Sequence, residues 1–157
     1  MSIHKATIEW HRDGKTFLDL RYSRAHAWRF DGGALVAASS SPAVVKSPYS
    51  DPAAVDPEEA FVASLASCHM LWLLSIAAED GYVIDRYIDE AEGHMVRRED
   101  GKDWIARVVL HPALRFTGAR APDDALVRDL HHRAHAACFI ANSVRTEVST
   151  EGTWTYD

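Results

Sequence analysis

The most reactive side chains in this sequence belong to its two cysteines, Cys68 and Cys138. Cys68 lies in the middle of the apolar run AFVASLASCHMLWLL, and Cys138 lies much later, in HAACFIANSV. A thiol in an apolar helix is normally inert, because burial disfavours the thiolate that does the chemistry. If the two thiols met in the fold, they would form a catalytic or redox-sensing pair. Spacing alone leaves both interpretations open.

Metal binding is a third interpretation. Four residues could place zinc ligands on one helix face, because they include pairs three and four positions apart: His131, His132, His135 and Cys138. Cys68 and His69 could complete the set of ligands. However, the chain has neither a Cys-x-x-Cys nor a His-Glu-x-x-His motif, and HHRAH also fits a polar helix face. We therefore expect no metal and no cofactor, and keep zinc as the minor alternative.

Composition narrows the class of protein. The chain has 157 residues, 47% of them hydrophobic and 25% charged, with a formal net charge of −6. This profile predicts a single soluble domain over residues 1–157. Without a basic run we expect no nucleic-acid partner. The N-terminus lacks an apolar signal-peptide core, and the longest apolar run, about 15 residues, is too short to span a bilayer. We therefore expect a cytoplasmic protein with no membrane partner.

The first half of the sequence predicts three strands and a long helix. Alternating residues on either side of Asp13-Gly14 indicate a β-hairpin, and ALVAAS after Asp31-Gly32-Gly33 indicates a third strand. Residues 40–56 are typical of a surface loop. The sequence DPEE starting at Asp56 predicts a helix that runs to Asp80 and is ended by Gly81. Because this helix is apolar nearly all round, we expect it to be buried at the centre of the fold.

The second half predicts three more strands and a second helix. YVIDRYIDEAEGHMVRR and WIARVVLHPALRFTG each indicate one strand, and SVRTEVSTEGTWTYD indicates a final one. Between them, a helix begins near Asp123 and reaches to about Cys138. The order β-β-β-α-β-β-α-β predicts an α+β fold with antiparallel sheets around the long central helix.

The segments DPEEAFVASLASCHM and AHAACFIANS resemble the OsmC/Ohr family of osmotically inducible and organic-hydroperoxide-resistance proteins. In that family a Pro-Glu opens the central helix, a cysteine ten residues after the Glu is the peroxidatic thiol, and a later cysteine resolves it. The matching positions here are Pro57, Glu58, Cys68 and Cys138. The resemblance implies an OsmC-like fold, an intertwined homodimer and catalytic roles for Glu58, Cys68 and Cys138.

The activity implied by the resemblance is a thiol-dependent peroxidase. It would reduce organic peroxides, with hydrogen peroxide as a further candidate, through a Cys68 sulfenate and a Cys68–Cys138 disulfide. A dithiol of the lipoamide type would then restore the two thiols. Three residues are candidates for an apolar wall that favours alkyl peroxides, although each also fits plain core packing: Phe61, Leu65 and Trp72.

The resemblance also implies a catalytic arginine that pairs with the glutamate and with the reactive sulfur. The candidates in LRYSRAHAWRFDGG are Arg21, Arg24 and Arg29, and we favour Arg24 because it lies where a strand gives way to a loop. Each of the three also fits a solvated surface charge.

Helix geometry predicts how the glutamate could act. Ten residues of helix separate Glu58 from Cys68, a rise of about 15 Å. A straight helix cannot bring both into one site. We therefore expect Glu58 of one subunit to act beside Cys68 of the other, in a two-fold dimer with antiparallel central helices.

The sequence departs from the family pattern at three points. His69 follows the first cysteine where relatives often have Phe, Phe139 follows the second where they have Pro, and KSPYSDPAAVD replaces a Gly-rich loop. These differences leave open the physiological peroxide, the reductant and the roles of His69 and His26. The main functional alternative is a non-enzymatic stress-response domain whose thiols sense oxidants.

Overall fold

The computed structural model describes residues 2–157, which adopt an α+β fold as expected. The chain forms two compact units, Met1–Ala60 and Phe61–Asp157. The first unit contains a three-stranded sheet and the start of the long helix. The second contains the rest of that helix, six strands and a second helix.

The N-terminal unit contains the antiparallel sheet β1 (Ala6–Glu9), β2 (His26–Phe30) and β3 (Leu35–Ala38), in that order. The predicted turn between β2 and β3 is confirmed. Gly33 has a φ of 90° there, and its N–H donates to the Phe30 carbonyl at 3.0 Å. A glycine is favoured because a side chain at that φ would be strained.

The hairpin predicted for the N-terminus is wrong. A turn does form at Asp13-Gly14, where φ is 51° and 71°. However, residues 15–25 form no strand, and β1 pairs with β2 instead. Of the apolar residues of the predicted second strand, Phe17 instead joins an aromatic cluster, where it stacks on Tyr22 with ring centroids 4.7 Å apart, while Leu18 and Leu20 are exposed. Local alternation cannot distinguish a strand from such a cluster, because both place apolar residues together.

The long helix α1 (Pro57–Glu79) begins and ends where the sequence predicts. Its start is a reciprocal capping box: the Glu59 N–H donates to Asp56 Oδ1 at 2.8 Å, and the Asp56 N–H donates to Glu59 Oε2 at 3.1 Å. At the other end Gly81 adopts a φ of 78°, the left-handed conformation that stops a helix.

Only one face of α1 is buried in a single chain. The buried residues are Leu65, His69, Leu73, Ile76 and Ala77. On another face Leu71 is 62% exposed. The sequence predicts that α1 is buried on all sides. A second molecule would have to cover the exposed face for that prediction to hold.

By length and composition α1 could also cross a membrane. That criterion carries little weight, because the core helices of soluble proteins meet it as well. In this fold the buried face of α1 packs into the core of the C-terminal unit.

The C-terminal unit has six strands in two three-stranded sheets. The strands are β4 (Val83–Asp89), β5 (Glu92–Arg97), β6 (Asp103–Leu110), β7 (Pro112–Thr117), β8 (Glu147–Thr150) and β9 (Thr153–Tyr156). One sheet has the order β4-β7-β9 and the other β5-β6-β8. Neighbours are antiparallel in the pairs β4–β7 and β5–β6, and parallel in β6–β8 and β7–β9. The sheets are therefore mixed.

Each of the three long strands predicted for this unit is in fact two strands. The breaks lie between β4 and β5, at His111 between β6 and β7, and between β8 and β9. Hydrogen bonds join the breaks: the His111 N–H donates to Asp89 Oδ1 at 2.7 Å, and the Glu151 N–H donates to the Leu110 carbonyl at 2.8 Å. The strands thus bend together from one sheet to the other. Side-chain alternation continues through such a bend, so the sequence pattern does not reveal it.

The second helix, α2 (Asp124–Ala137), starts where the sequence predicts, and Asp123 caps it: its Oδ1 accepts the Leu126 N–H at 2.8 Å. Its buried face joins α1 and β7 in one core: Leu73, Ile76, Ala77, Leu114, Phe116, Val127, Leu130 and Ala134. Arg133 of α2 also binds Asp80 just after α1, with Nη1 2.6 Å from Oδ2. A short 3₁₀ turn, Ala141–Ser143, follows α2.

We predict that Gly93→Ala destabilises the protein. A Cβ at Gly93 would lie 2.6 Å from Val62 Cγ2 of α1, too close for either group to stay in place. We expect a loss of about 1–3 kcal/mol in the free energy of unfolding, measured by urea denaturation. Gly32→Ala is the matched control, because a Cβ there meets no atom within 4 Å.

A second substitution tests the cause. Adding Val62→Ala removes the methyl that would clash, so the cost of Gly93→Ala should be smaller in the Val62→Ala background. An equal cost in both backgrounds would show that the contact between α1 and β5 is not the reason.

Candidate functional site

Cys68 lies half-buried on α1 at a cleft of about 560 Å³. The cleft has mainly apolar walls, formed by Leu71 and Trp72 of α1 and by Phe139 and Ile140 after α2. The Trp72 and Phe139 rings meet edge to face, with centroids 5.5 Å apart. Three serines of α1 also line it: Ser64, Ser67 and Ser75. An apolar molecule in this cleft would therefore lie against the Cys68 thiol.

Cys138 is the residue that caps the C-terminus of α2, and it is only 1% exposed. The structure brings it within hydrogen-bonding reach of Cys68. Burial, followed by the hydrogen bond with Cys68, raises the pKa of the Cys138 thiol. The backbone N–H groups of Ala141 and Ile140 act in the opposite direction, and the Ala141 nitrogen lies 3.3 Å from Sγ.

Both cysteines are free thiols in this structure. Two neighbouring thiols can pass between the dithiol and disulfide states. The sequence left inert core cysteines and a redox pair as alternatives. The contact favours the redox pair.

His69, next to Cys68 in the sequence, points away into the core. It is 1% exposed, and its Nε2 lies 3.0 Å from Nδ1 of His131 on α2, with the two rings stacked 5.3 Å apart. Burial, with smaller contributions from His131 and His135, lowers the pKa of His69 to about 4. Burial also lowers the pKa of His131, whose Nε2 has no hydrogen-bond partner among the described residues.

This histidine pair accounts for part of the set considered as zinc ligands. The other two histidines of that set, His132 and His135, are exposed on α2. Within residues 2–157 no group of three or more His, Cys, Asp or Glu side chains could hold a metal ion. Sequence spacing did not identify the pairing of His69 with His131, because it depends on how α1 and α2 pack.

Arg24 lies in the N-terminal unit beside a cleft of about 450 Å³. Its guanidinium lies 3.8 Å over the Tyr22 ring, and Nη1 donates to the carbonyls of Leu20 and Tyr22. Of the other candidate arginines, Arg29 donates to Glu9 at 3.0 Å and Arg21 is exposed. Arg24 is thus the half-buried candidate, and it has no acidic partner within residues 2–157.

His26 holds the backbone next to Arg24. The Trp28 indole N–H donates to His26 Nε2 at 2.9 Å, so the ring proton lies on Nδ1. That Nδ1–H then donates to the Arg24 carbonyl at 2.7 Å. The sequence left the role of His26 open, and the structure gives it a local one.

Glu58 occupies the second position of α1, and its Oε2 atom is buried. This oxygen has no hydrogen-bond partner among the described residues, and Glu58 forms no ion pair with Arg24 in this chain. A buried carboxylate oxygen without a donor is costly, so an additional partner is expected.

Of the three residues predicted to form a substrate wall, Trp72 lines the Cys68 cleft. Leu65 is 1% exposed, and with Phe61 it packs in the core beside Val108 and Leu110. The described residues around the cleft instead include Leu71 and Phe139. Leu71 could have been identified from its position three residues after Cys68, which places both on one helix face.

Comparison with known proteins gives both a sequence match and structural matches. The family model of OsmC-like proteins matches residues 50–152. The structure of an OsmC-like protein of unknown function from Vibrio cholerae shares 51% sequence identity, covers 98% of this chain and 100% of its own, and superposes with a TM-score of 0.94. No curated protein matches the chain.

More distant structures share the fold. An organic hydroperoxide resistance protein from Elizabethkingia anophelis has 15% identity and a TM-score of 0.68, with coverage of 100% of this chain and 98% of its own. The organic hydroperoxide resistance protein OhrB of Bacillus subtilis has 19% identity and a TM-score of 0.61, with coverage of 98% of each chain. At these identities the likeness concerns the fold alone.

The buried histidine pair predicts an acid-sensitive stability. In the unfolded chain His69 binds a proton near pH 6.5, but in the folded protein only near pH 4. Stability is therefore greatest above pH 6.5 and falls as the pH drops toward 4, by about 3 kcal/mol from this residue. Urea unfolding at pH 7 and pH 5 measures the slope.

Two variants separate His69 from other acid-sensitive groups. His69→Leu should flatten the change in unfolding free energy between pH 7 and pH 5. His132→Gln, on the exposed side of α2, should keep the wild-type slope. An unchanged slope in His69→Leu would rule out the buried pair as its source.

Proposed function

The chain belongs to the family of OsmC-like proteins, and from that premise we propose that it is a thiol-dependent peroxidase for organic hydroperoxides. The observation that carries the proposal is the contact between Cys68 and Cys138 at an apolar cleft. The names of the structural relatives from Elizabethkingia anophelis and Bacillus subtilis, both organic hydroperoxide resistance proteins, support the choice of substrate. We propose a cytoplasmic location for it.

In the first half-reaction, the Cys68 thiolate attacks the distal oxygen of the hydroperoxide and the O–O bond breaks. Sulfur keeps that oxygen as a sulfenic acid, and the other oxygen leaves as an alcohol after taking up a proton. The Cys138 sulfur then attacks Cys68, forms the disulfide and releases water. One peroxide is reduced by two electrons, which come from the two thiols.

The second half-reaction needs an external reductant. A dithiol of the lipoamide type would reduce the disulfide by two successive thiol–disulfide exchanges and leave as a cyclic disulfide. Trp72, Leu71 and Phe139 would favour an alkyl or aryl substituent on the peroxide, because they remove apolar surface from water. Hydrogen peroxide lacks such a substituent and would react more slowly.

The arginine and the glutamate would act across a homodimer. Glu58 has a buried Oε2 without a hydrogen-bond partner in residues 2–157, and Leu71 is an exposed apolar residue on a face of α1 that these residues leave uncovered. A two-fold partner with its α1 antiparallel would cover that face and bring its own thiol toward Glu58. Arg24, held by Glu58, would then stabilise the thiolate of the other subunit's reactive cysteine.

Peroxide turnover tests the proposed activity. Purified wild-type protein with dihydrolipoamide should consume cumene hydroperoxide over many turnovers, and Cys68→Ser should abolish this. In the absence of the dithiol, Cys138→Ser should reduce one equivalent of peroxide and leave a sulfenic acid on Cys68, detectable with dimedone by mass spectrometry. Wild-type protein that forms a disulfide without turnover would instead be a redox sensor, and no peroxide loss at all would remove both functions.

Subunit mixing tests the shared site. Cys68→Ser and Glu58→Gln homodimers should each have low activity. After subunit exchange, half of the dimers would carry one site with both native residues, so activity should recover to about a quarter of the wild-type value. If Glu58 acts on the thiol of its own chain, mixing would restore nothing.

A further inference from the structure

The two sulfurs of the candidate redox pair differ in how they can be reached. Cys68 lies half-buried at the cleft of about 560 Å³, whereas Cys138 is 1% exposed behind it. An attacking thiolate must approach one sulfur along the line of the S–S bond, from the side opposite the other sulfur. An incoming thiol in the cleft meets Cys68, while the far side of Cys138 is closed by protein.

The two sulfurs also differ in what surrounds them. The Ala141 N–H donates to Cys138 Sγ at 3.3 Å, and the Ile140 N–H also contributes a hydrogen bond to it. Both N–H groups belong to the tight turn that follows α2. Backbone donors pointing at a sulfur favour its anionic form, which is the form in which a thiol leaves a disulfide.

Two side chains hold the turn that carries these donors. Asn142 Nδ2 donates to the carbonyls of Ala136 and Cys138, both at 2.9 Å. Ser143 braces the same turn elsewhere, because its hydroxyl donates to the Phe139 carbonyl at 2.8 Å. Asn142 is thus the residue that fixes the Cys138 backbone relative to the donors.

We infer that reduction of the Cys68–Cys138 disulfide proceeds in one direction only: the external thiol attacks Cys68, and Cys138 is the leaving group. This inference rests on the proposed function and adds the order of its second half-reaction. The incoming thiolate forms an S–S bond with Cys68, and the electron pair of the old bond goes to Cys138. The Ala141 and Ile140 N–H groups stabilise that thiolate until it takes a proton from solvent. The second thiol of the dithiol reductant then attacks the reductant sulfur that is bonded to Cys68. This closes the cyclic disulfide of the reductant and releases Cys68 as a thiolate.

Burial of Cys138 opposes this direction, because it raises the pKa of that thiol. Two features act against this effect. The N–H donors offset part of the cost of the buried anion, and attack at Cys138 would require the reductant itself to enter the core. In the mixed disulfide Cys68 is also neutral, so it no longer repels a charge on Cys138.

The test uses the wild-type protein and a monothiol, which cannot complete the reduction intramolecularly. The disulfide is first formed with diamide, which needs no peroxidase activity, and is confirmed by intact mass. The oxidised protein is then treated briefly with 2-mercaptoethanol, quenched with N-ethylmaleimide at low pH, and mapped by peptide mass spectrometry. We expect mercaptoethanol on Cys68 and maleimide on Cys138. The reverse pattern, or equal labelling of both, would overturn the inference.

A pair of variants tests the turn. Asn142→Ala should slow reduction by the monothiol several-fold, with the adduct still on Cys68, because the donors are less well fixed. Ser143→Ala should keep nearly the wild-type rate. Equal rates in the two variants would remove Asn142 as a positioning residue. Failure to form any intramolecular disulfide with diamide would instead remove the redox pair itself, and with it the proposed function.

Discussion

The disposition of the reactive groups depends on the packing of α1 against α2. The shared core of Leu73, Ile76 and Leu130 holds the helices together, and each such buried side chain contributes roughly 1.5–3 kcal/mol. Polar contacts fix the relative position further: His69 binds His131 within the core, and Asp80 binds Arg133 at its edge. Cys68 lies within α1 and Cys138 caps the end of α2. The packing of the two helices therefore brings the two cysteines together.

The same packing explains why the histidine beside Cys68 is not part of the cleft. Successive residues on a helix point about 100° apart, so when Cys68 faces the cleft, His69 must turn toward α2. A buried neutral histidine there needs a hydrogen-bond partner, and His131 provides one. The pair therefore joins the helices at the cost of sensitivity to acid, while the thiols remain free to react.

The sequence predicted the features that are encoded locally. The ends of α1 follow from the Asp56–Glu59 capping box and Gly81, and the start of α2 follows from Asp123. Features that depend on distant contacts were missed or wrong. The strand partner of β1, the common bend of the long strands, and the His69–His131 pair all arise from tertiary packing, which no local pattern records. The family motif identified both cysteines of the site. Only the folded chain shows that Cys68 and Cys138 lie together and that Phe139 and Leu71 line the cleft.

In the proposed reaction, the two thiols of one chain reduce one peroxide. This stoichiometry can be measured by titrating fully reduced protein with cumene hydroperoxide in the absence of any reductant and counting the free thiols with a chromogenic disulfide. We predict that one equivalent of peroxide removes both thiols of a chain, with the chains still separate on a non-reducing denaturing gel. Loss of no thiols, loss of only one per peroxide, or disulfide-linked dimers would contradict it.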